Sequence, residues 1–183
     1  MRKIHGIGCA ILLLGALGTT SPAQIQRLTL EQIVQSADNA VYGQIARSRV
    51  FRVDSAQDGP ELYYTRITLV GRTLSDSRPI TVDVTFRGGF VSDTEGVFNS
   101  EAPAADDVKV GNSVVAFYRW VDDMGGGVPA NALVAAHGGL YRTVDGPRGT
   151  TVLGRGEGYA LEANVREVQL EAAVARLSSL KKH

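Results

Sequence analysis

Ile80, Val82, Val84 and Phe86 alternate with Thr81, Asp83, Thr85 and Arg87. That period of two predicts a strand with one buried and one wet face. Residues 40–53 and 62–74 are two longer strand candidates, joined by residues 54–61, where Asp58-Gly59-Pro60 supplies turn chemistry. Residues 114–121 are apolar on both faces, the pattern of a strand covered from two sides. Residues 131–136, 140–143 and 150–153 also read as strands, with Gly138-Gly139 and Asp145-Gly146-Pro147 as breaks.

Two segments carry the helical period instead. Thr29-Leu30-Glu31-Gln32 has the capping-box arrangement, a Thr hydroxyl for the free amides and Gln three residues later. It opens a short helix through about Ser36, with Leu30, Ile33 and Val34 facing inward. From 164 to 180, Leu170, Val174 and Leu177 recur at helical spacing, with Val165 and Val168 one turn earlier and no Gly or Pro. This predicts an amphipathic helix docked on the sheet. The fold class that follows is mainly β: an OB-like antiparallel barrel with a short N-terminal helix and a C-terminal amphipathic helix. A β-sandwich with a docked helix satisfies the same pattern.

Two stretches lack either period. Residues 88–112 are long for a loop in a compact domain, and such loops carry function or disorder. They hold Asp93, Glu95, Glu101, Asp106 and Asp107 around the apolar pair Val97-Phe98. Residues 122–130 centre on Gly125-Gly126-Gly127 and open with Asp122-Asp123. Phe90, Val97, Phe98, Asp122 and Asp123 are therefore the candidate partner-binding residues. Phe90 and Phe98 have two readings: an exposed interface, or a plug over an open barrel end.

The N-terminus adds a destination. Arg2 and Lys3 precede an eleven-residue apolar stretch, 7–17, and Ser21-Pro22-Ala23 is a small-x-small cleavage site. Residues 1–23 are read as an export leader, with export to the periplasm or the exterior. The apolar run is shorter than the roughly 20 residues a membrane span needs. Cleavage leaves 160 of the 183 residues as one domain without Cys9, the only cysteine, and with His137 and His183 alone. The chain's formal charge is zero, and losing Arg2 and Lys3 makes it −2, without the concentrated positive face that nucleic acid requires.

Reactive groups are scarce. His137 is the only histidine inside the domain, no G-x-S-x-G elbow is present, and the leader takes the thiol with it. His137 thus reads as an ordinary strand-end residue, not a catalytic base. Zinc lacks a ligand set, and the acidic turns lack the ordered spacing of a calcium loop. Gly154-x-Gly156-x-Gly158 lacks the helix N-terminus that a phosphate loop needs and reads as turn or bulge glycines. No catalytic residue, metal or cofactor is expected.

Leu30-x2-Ile33-Val34-x-Ser36-Ala37-Asp38-x2-Val41-x-Gly43-x-Ile45 resembles the opening of a family of bacterial secreted domains. Gly88-Gly89 and Val110-Gly111-Asn112-Ser113-Val114-Val115-Ala116-Phe117 continue the resemblance over most of residues 30–141. The family is similar to OB-type barrels of the tissue-inhibitor-of-metalloproteinases and netrin kind, and is described beside matrixin-like proteases. The resemblance implies the barrel fold. It carries over no functional residue, because the matching glycines and apolar positions are scaffold. The inhibitors' zinc-chelating N-terminal cysteine has no counterpart at the expected mature terminus, Gln24. The expected function is an exported, non-enzymatic module that binds a protein partner, with a peptidase as one candidate. A structural envelope part and a hydrolase built on His137 are the alternatives. The oligomeric state stays open.

Overall fold

A computed structural model describes residues 27–54 and 61–181 of the chain. The leader, the Asp58-Gly59-Pro60 turn and His183 lie outside the described residues. Helix α1 (Leu30–Ser36) begins as its sequence predicts: Thr29 Oγ1 accepts the Gln32 N–H at 3.2 Å, and Gln32 Oε1 accepts the Thr29 N–H at 2.9 Å. The long strands follow as β1 (Asn39–Val53), β2 (Leu62–Thr73) and β3 (Pro79–Arg87). A small hairpin, β4 (Gly89–Phe90) and β5 (Gly96–Val97), precedes β6 (Ser113–Val121) and β7 (Ala130–Leu133). A 3-10 turn at Ala136–Gly139 leads to β8 (Leu140–Val144), β9 (Thr151–Val152), β10 (Val165–Arg166) and helix α2 (Glu167–Lys181).

The sheet closes on itself. Its order β1-β2-β3-β7-β6 returns to β1 through the β1–β6 ladder, with β3 and β7 parallel and the other barrel pairs antiparallel. This is a closed five-stranded, OB-like barrel. A sandwich would leave β1 and β6 unpaired with each other, so the pairing decides between the two predicted architectures. Strands β8, β9 and β10 extend the sheet outward from β6.

Strand β6 explains its doubly apolar sequence. Val114, Ala116 and Tyr118 point into the barrel beside Val41, Ile67, Leu69 and Val84. Val115 and Phe117 point outward into a second core with Ile33 and Val34 of α1 and Leu170 and Val174 of α2. The helices therefore cover an outer face of the barrel. Its interior receives Ala102 and Val108 from the β5–β6 connection instead.

Two segments depart from their sequence pattern. Val165 leaves the predicted helix to pair with Val152 across the β9–β10 ladder, because burying a cross-strand valine pair outweighs one extra helical turn. With α2 starting at Glu167, Val168 is left 59% exposed, off the expected apolar stripe. The strand predicted for 131–136 stops at Leu133, since Ala135 and Ala136 both take φ +53°, which no strand accommodates.

Tyr141 is fully buried, and its ring meets Phe117 edge-on with centroids 6.3 Å apart. Its hydroxyl has no hydrogen-bond partner of good geometry among the described residues, although the backbone of Ala160 and Leu161 is close by. Burial pushes the hydroxyl's pKa above the ordinary tyrosine value. Removing an unsatisfied buried donor spares its desolvation cost, so Tyr141→Phe is expected to stabilise the protein by about 1 kcal/mol. Urea melts of the two proteins check the sign.

Candidate binding groove beside the first strand

The β3–β5 region is fastened to the β1–β2 hairpin before it presents anything. The Gly88 N–H donates to Tyr63 O at 2.7 Å, and Thr65 Oγ1 donates to Gly88 O at 2.7 Å. Gly89 follows at φ +125°, so close to Val50 that a Cβ would sit 2.8 Å from Val50 Cγ2. Only glycine lets the backbone lie this low over the sheet. Glu95, at the far side of the hairpin, pairs with Arg52 at 3.4 Å, and Glu61 pairs with the same guanidinium at 3.1 Å. The two carboxylates, Glu61 first, raise the Arg52 pKa.

The following segment is pinned at both ends. Asn99 Nδ2 donates to Arg87 O at 3.1 Å. Glu101 O accepts the His137 N–H at 2.8 Å and Nδ1 of the same residue at 3.2 Å. A carbonyl only accepts, so Nδ1 donates to it, and Nε2 shares a hydrogen bond with Tyr159 Oη at 2.9 Å. Farther on, Arg155 pairs with Asp107 at 2.9 Å, both side chains largely buried. Asn112 Nδ2 donates to Asp106 O at 2.7 Å. The 88–112 stretch is thus an ordered shelf rather than a slack loop.

Phe90 and Phe98 do not plug the barrel end; other side chains of the same stretch do. Pro103 and Val108 are buried, and Ala102 and Val108 pack on the barrel core, so they are the plug. Phe98 is 80% exposed, Phe90 53% and Val97 45%. Beside them opens a groove of about 770 Å³, floored by Val50 and Thr65 and walled by Phe90, Val97, Phe98 and Val110. On its other flank the Val97-Phe98 crest borders a smaller hollow of about 340 Å³ with Tyr63 and Tyr64.

The two aspartates are placed elsewhere. Asp123 Oδ1 accepts the N–H groups of Gly125 and Gly127 at 2.7 and 2.9 Å, which folds the glycine loop back on itself. It also borders a cavity of about 310 Å³ that shares Asn99 and Ala102 with the main groove. Asp122 accepts the Trp120 indole N–H at 2.8 Å. Both thus hold local structure, while Met124 O receives Tyr64 Oη at 3.0 Å and Arg87 Nε at 3.1 Å. No cluster of metal-ligating side chains occurs among the described residues, and no helix there is long and apolar enough to cross a membrane.

Phe90, Val97 and Phe98 were legible from sequence because aromatic and branched side chains stood outside any strand pattern. Val50, Val110, His137 and Arg155 were not, since their roles arise from contacts between segments far apart in the chain. Comparison with known proteins adds no relative: no family model, no curated protein and no solved structure matches the chain.

Proposed function

We propose that the protein is an exported, non-catalytic binding module that grips an apolar segment of a protein partner in the groove beside β1. The observation that carries this reading is the exposure of Phe90, Val97, Phe98 and Val110 around one groove on a tethered shelf. Leaving four large apolar groups in water costs free energy that covering them recovers. Phe98 and Val110, 80% and 61% exposed, stand above the rim. A small molecule in the groove would leave both still wetted, whereas a polypeptide laid across it covers floor and rim together. Export is supported by the leader-like residues 1–23.

A catalytic role for His137 has less support. Both ring nitrogens are engaged, one by the Glu101 carbonyl and one by the Tyr159 hydroxyl, in contacts that hold the shelf.

The test compares the wild-type protein with a Phe90→Ser/Phe98→Ser variant. Partners captured from the envelope fraction are identified, purified and titrated against both proteins, with circular dichroism checking the variant's fold. Loss of exposed aromatic anchors is expected to weaken a true partner about tenfold or more. A folded variant that binds every captured partner as tightly as wild type would exclude the groove.

A further inference from the structure

We infer that the outer edge of β1, from Arg47 to Val53, accepts an extended segment of the protein partner as an added strand in which acidic and apolar side chains alternate. This rests on the groove reading above and adds the mode of pairing and the partner's pattern.

The ladder between β1 and β2 runs as far as Val53, but that between β1 and β6 ends at the Gln44–Ser113 pair. Ile45 still exchanges bonds with its neighbours: its N–H donates to Asn112 O and its carbonyl accepts the Gly111 N–H, each at 2.9 Å. A bulge between Ile45 and Arg47 then changes the register of β1, and Lys109 and Val110 line the groove opposite Ser48 and Val50. Past that point no strand or turn bond among the described residues meets this edge of β1. Alternate N–H and C=O groups stand open there, a template for a further strand.

The two faces of this edge differ. Ser48 and Val50 point to the apolar groove. Arg47, Arg49 and Phe51 alternate with them and so point the other way. Arg49 lies directly across the ladder from Arg66, and both guanidinium groups approach the Phe51 ring, at 5.9 and 4.9 Å from its centroid. None of the ion pairs among the described residues uses Arg47, Arg49 or Arg66. Like charges facing each other on a ladder raise the energy of the folded state, and carboxylates on a neighbouring strand lower it. An added strand puts every second side chain on each face. One set then drops toward Phe90, Phe98 and Val110, and the other meets the arginines.

Charge disfavours a second copy of this chain, since pairing β1 with β1 brings one arginine cluster against another. Stacking disfavours single-stranded nucleic acid. The Phe51 ring already stacks on Tyr64, with centroids 5.7 Å apart and planes at 28°, beneath Arg66, so it offers no free platform for a base.

The test uses synthetic peptides about seven residues long, matching the open edge, titrated by fluorescence anisotropy against the purified protein. The probe alternates Glu and Val; its controls are a blocked arrangement of the same composition, a Lys–Val alternation and an oligothymidine. The alternating acidic peptide is expected to bind most tightly. Arg47→Glu/Arg49→Glu is expected to weaken it about tenfold and to favour the Lys–Val peptide. N-methylation of every second amide is expected to abolish binding in one phase of the alternation and spare it in the other. Equal binding of blocked and alternating peptides, equal binding of the two methylated forms, preference for the oligothymidine, or no peptide binding at all would each overturn the inference. Self-association that Arg47→Glu/Arg49→Glu abolishes would assign the edge to a second copy and overturn it as well. Peptide lost by Phe98→Ser yet unaffected by Arg47→Glu/Arg49→Glu would refute strand addition while leaving the groove reading in place. Peptide held equally by both variants would refute both.

Discussion

Gly71→Ala is expected to cost about 3 kcal/mol and to lower the melting temperature by roughly 10 °C. Gly71 faces Gly43 across the β1–β2 ladder. A methyl group at Gly71 would overlap the Tyr42 carbonyl oxygen and the Gly43 Cα, both backbone atoms. The reciprocal methyl at Gly43 would lie 2.8 Å from Val70 O. Side chains can rotate away from an intruder, but paired backbones cannot without breaking the ladder. Gly43 also pairs with Val114 of β6, so this crossing is where β1 serves two neighbours and the barrel closes. Gly111→Ala is the control. Gly111 has φ +94° with nothing within 4 Å of a Cβ, so its loss is expected near the 1–2 kcal/mol of a left-handed alanine. Thermal melts of both variants separate the steric effect from the conformational one. An effect of Gly71→Ala no larger than that of Gly111→Ala would show that the crossing relaxes.

Arg72→Met is expected to destabilise the protein by about 2–3 kcal/mol, and adding Glu167→Leu to recover most of the loss. Arg72 reaches from β2 to the first turns of α2, pairing with Glu167 at 2.7 Å and Glu171 at 2.8 Å. Its guanidinium also lies 5.4 Å from the Tyr42 ring centroid. The Glu167 side chain keeps only 7% of its exposure, so without Arg72 a carboxylate is left desolvated and unpaired. Arg72 itself is 31% exposed, which holds the effect below that of a fully enclosed pair. Replacing both partners by apolar groups removes the stranded charge. A double variant no more stable than Arg72→Met would mean that the loss comes from cation–π and packing contacts at Tyr42.

Neither of these two sites was disclosed by the sequence, although the elements around them were. The Thr29 capping box, the alternation from Ile80 to Phe86 and the doubly apolar 114–121 run each gave the right element, because each depends on local periodicity or on a bond three residues away. Even the two-sided burial of β6 was legible. A strand that is apolar on both faces must be covered on both. The Gly43–Gly71 contact was hidden, since nothing local says that two glycines far apart in sequence will face each other. The salt bridge from Arg72 to α2 was hidden for the same reason. So was the division of the 88–112 stretch into plug and display: Val108 and Phe98 look alike as sequence, and only packing sends one inside.

The sequence by itself determined the mainly β class, both helices, the poverty of reactive groups and the aromatic surplus in one loop. Those properties follow from side-chain chemistry and short-range period, which need no knowledge of neighbours. Tertiary structure alone decided that β1 and β6 pair to close the barrel, that the pairing stops at Gln44, and that the remaining edge borders an apolar groove. Ladder length depends on where two distant backbones diverge, and no single segment encodes that point.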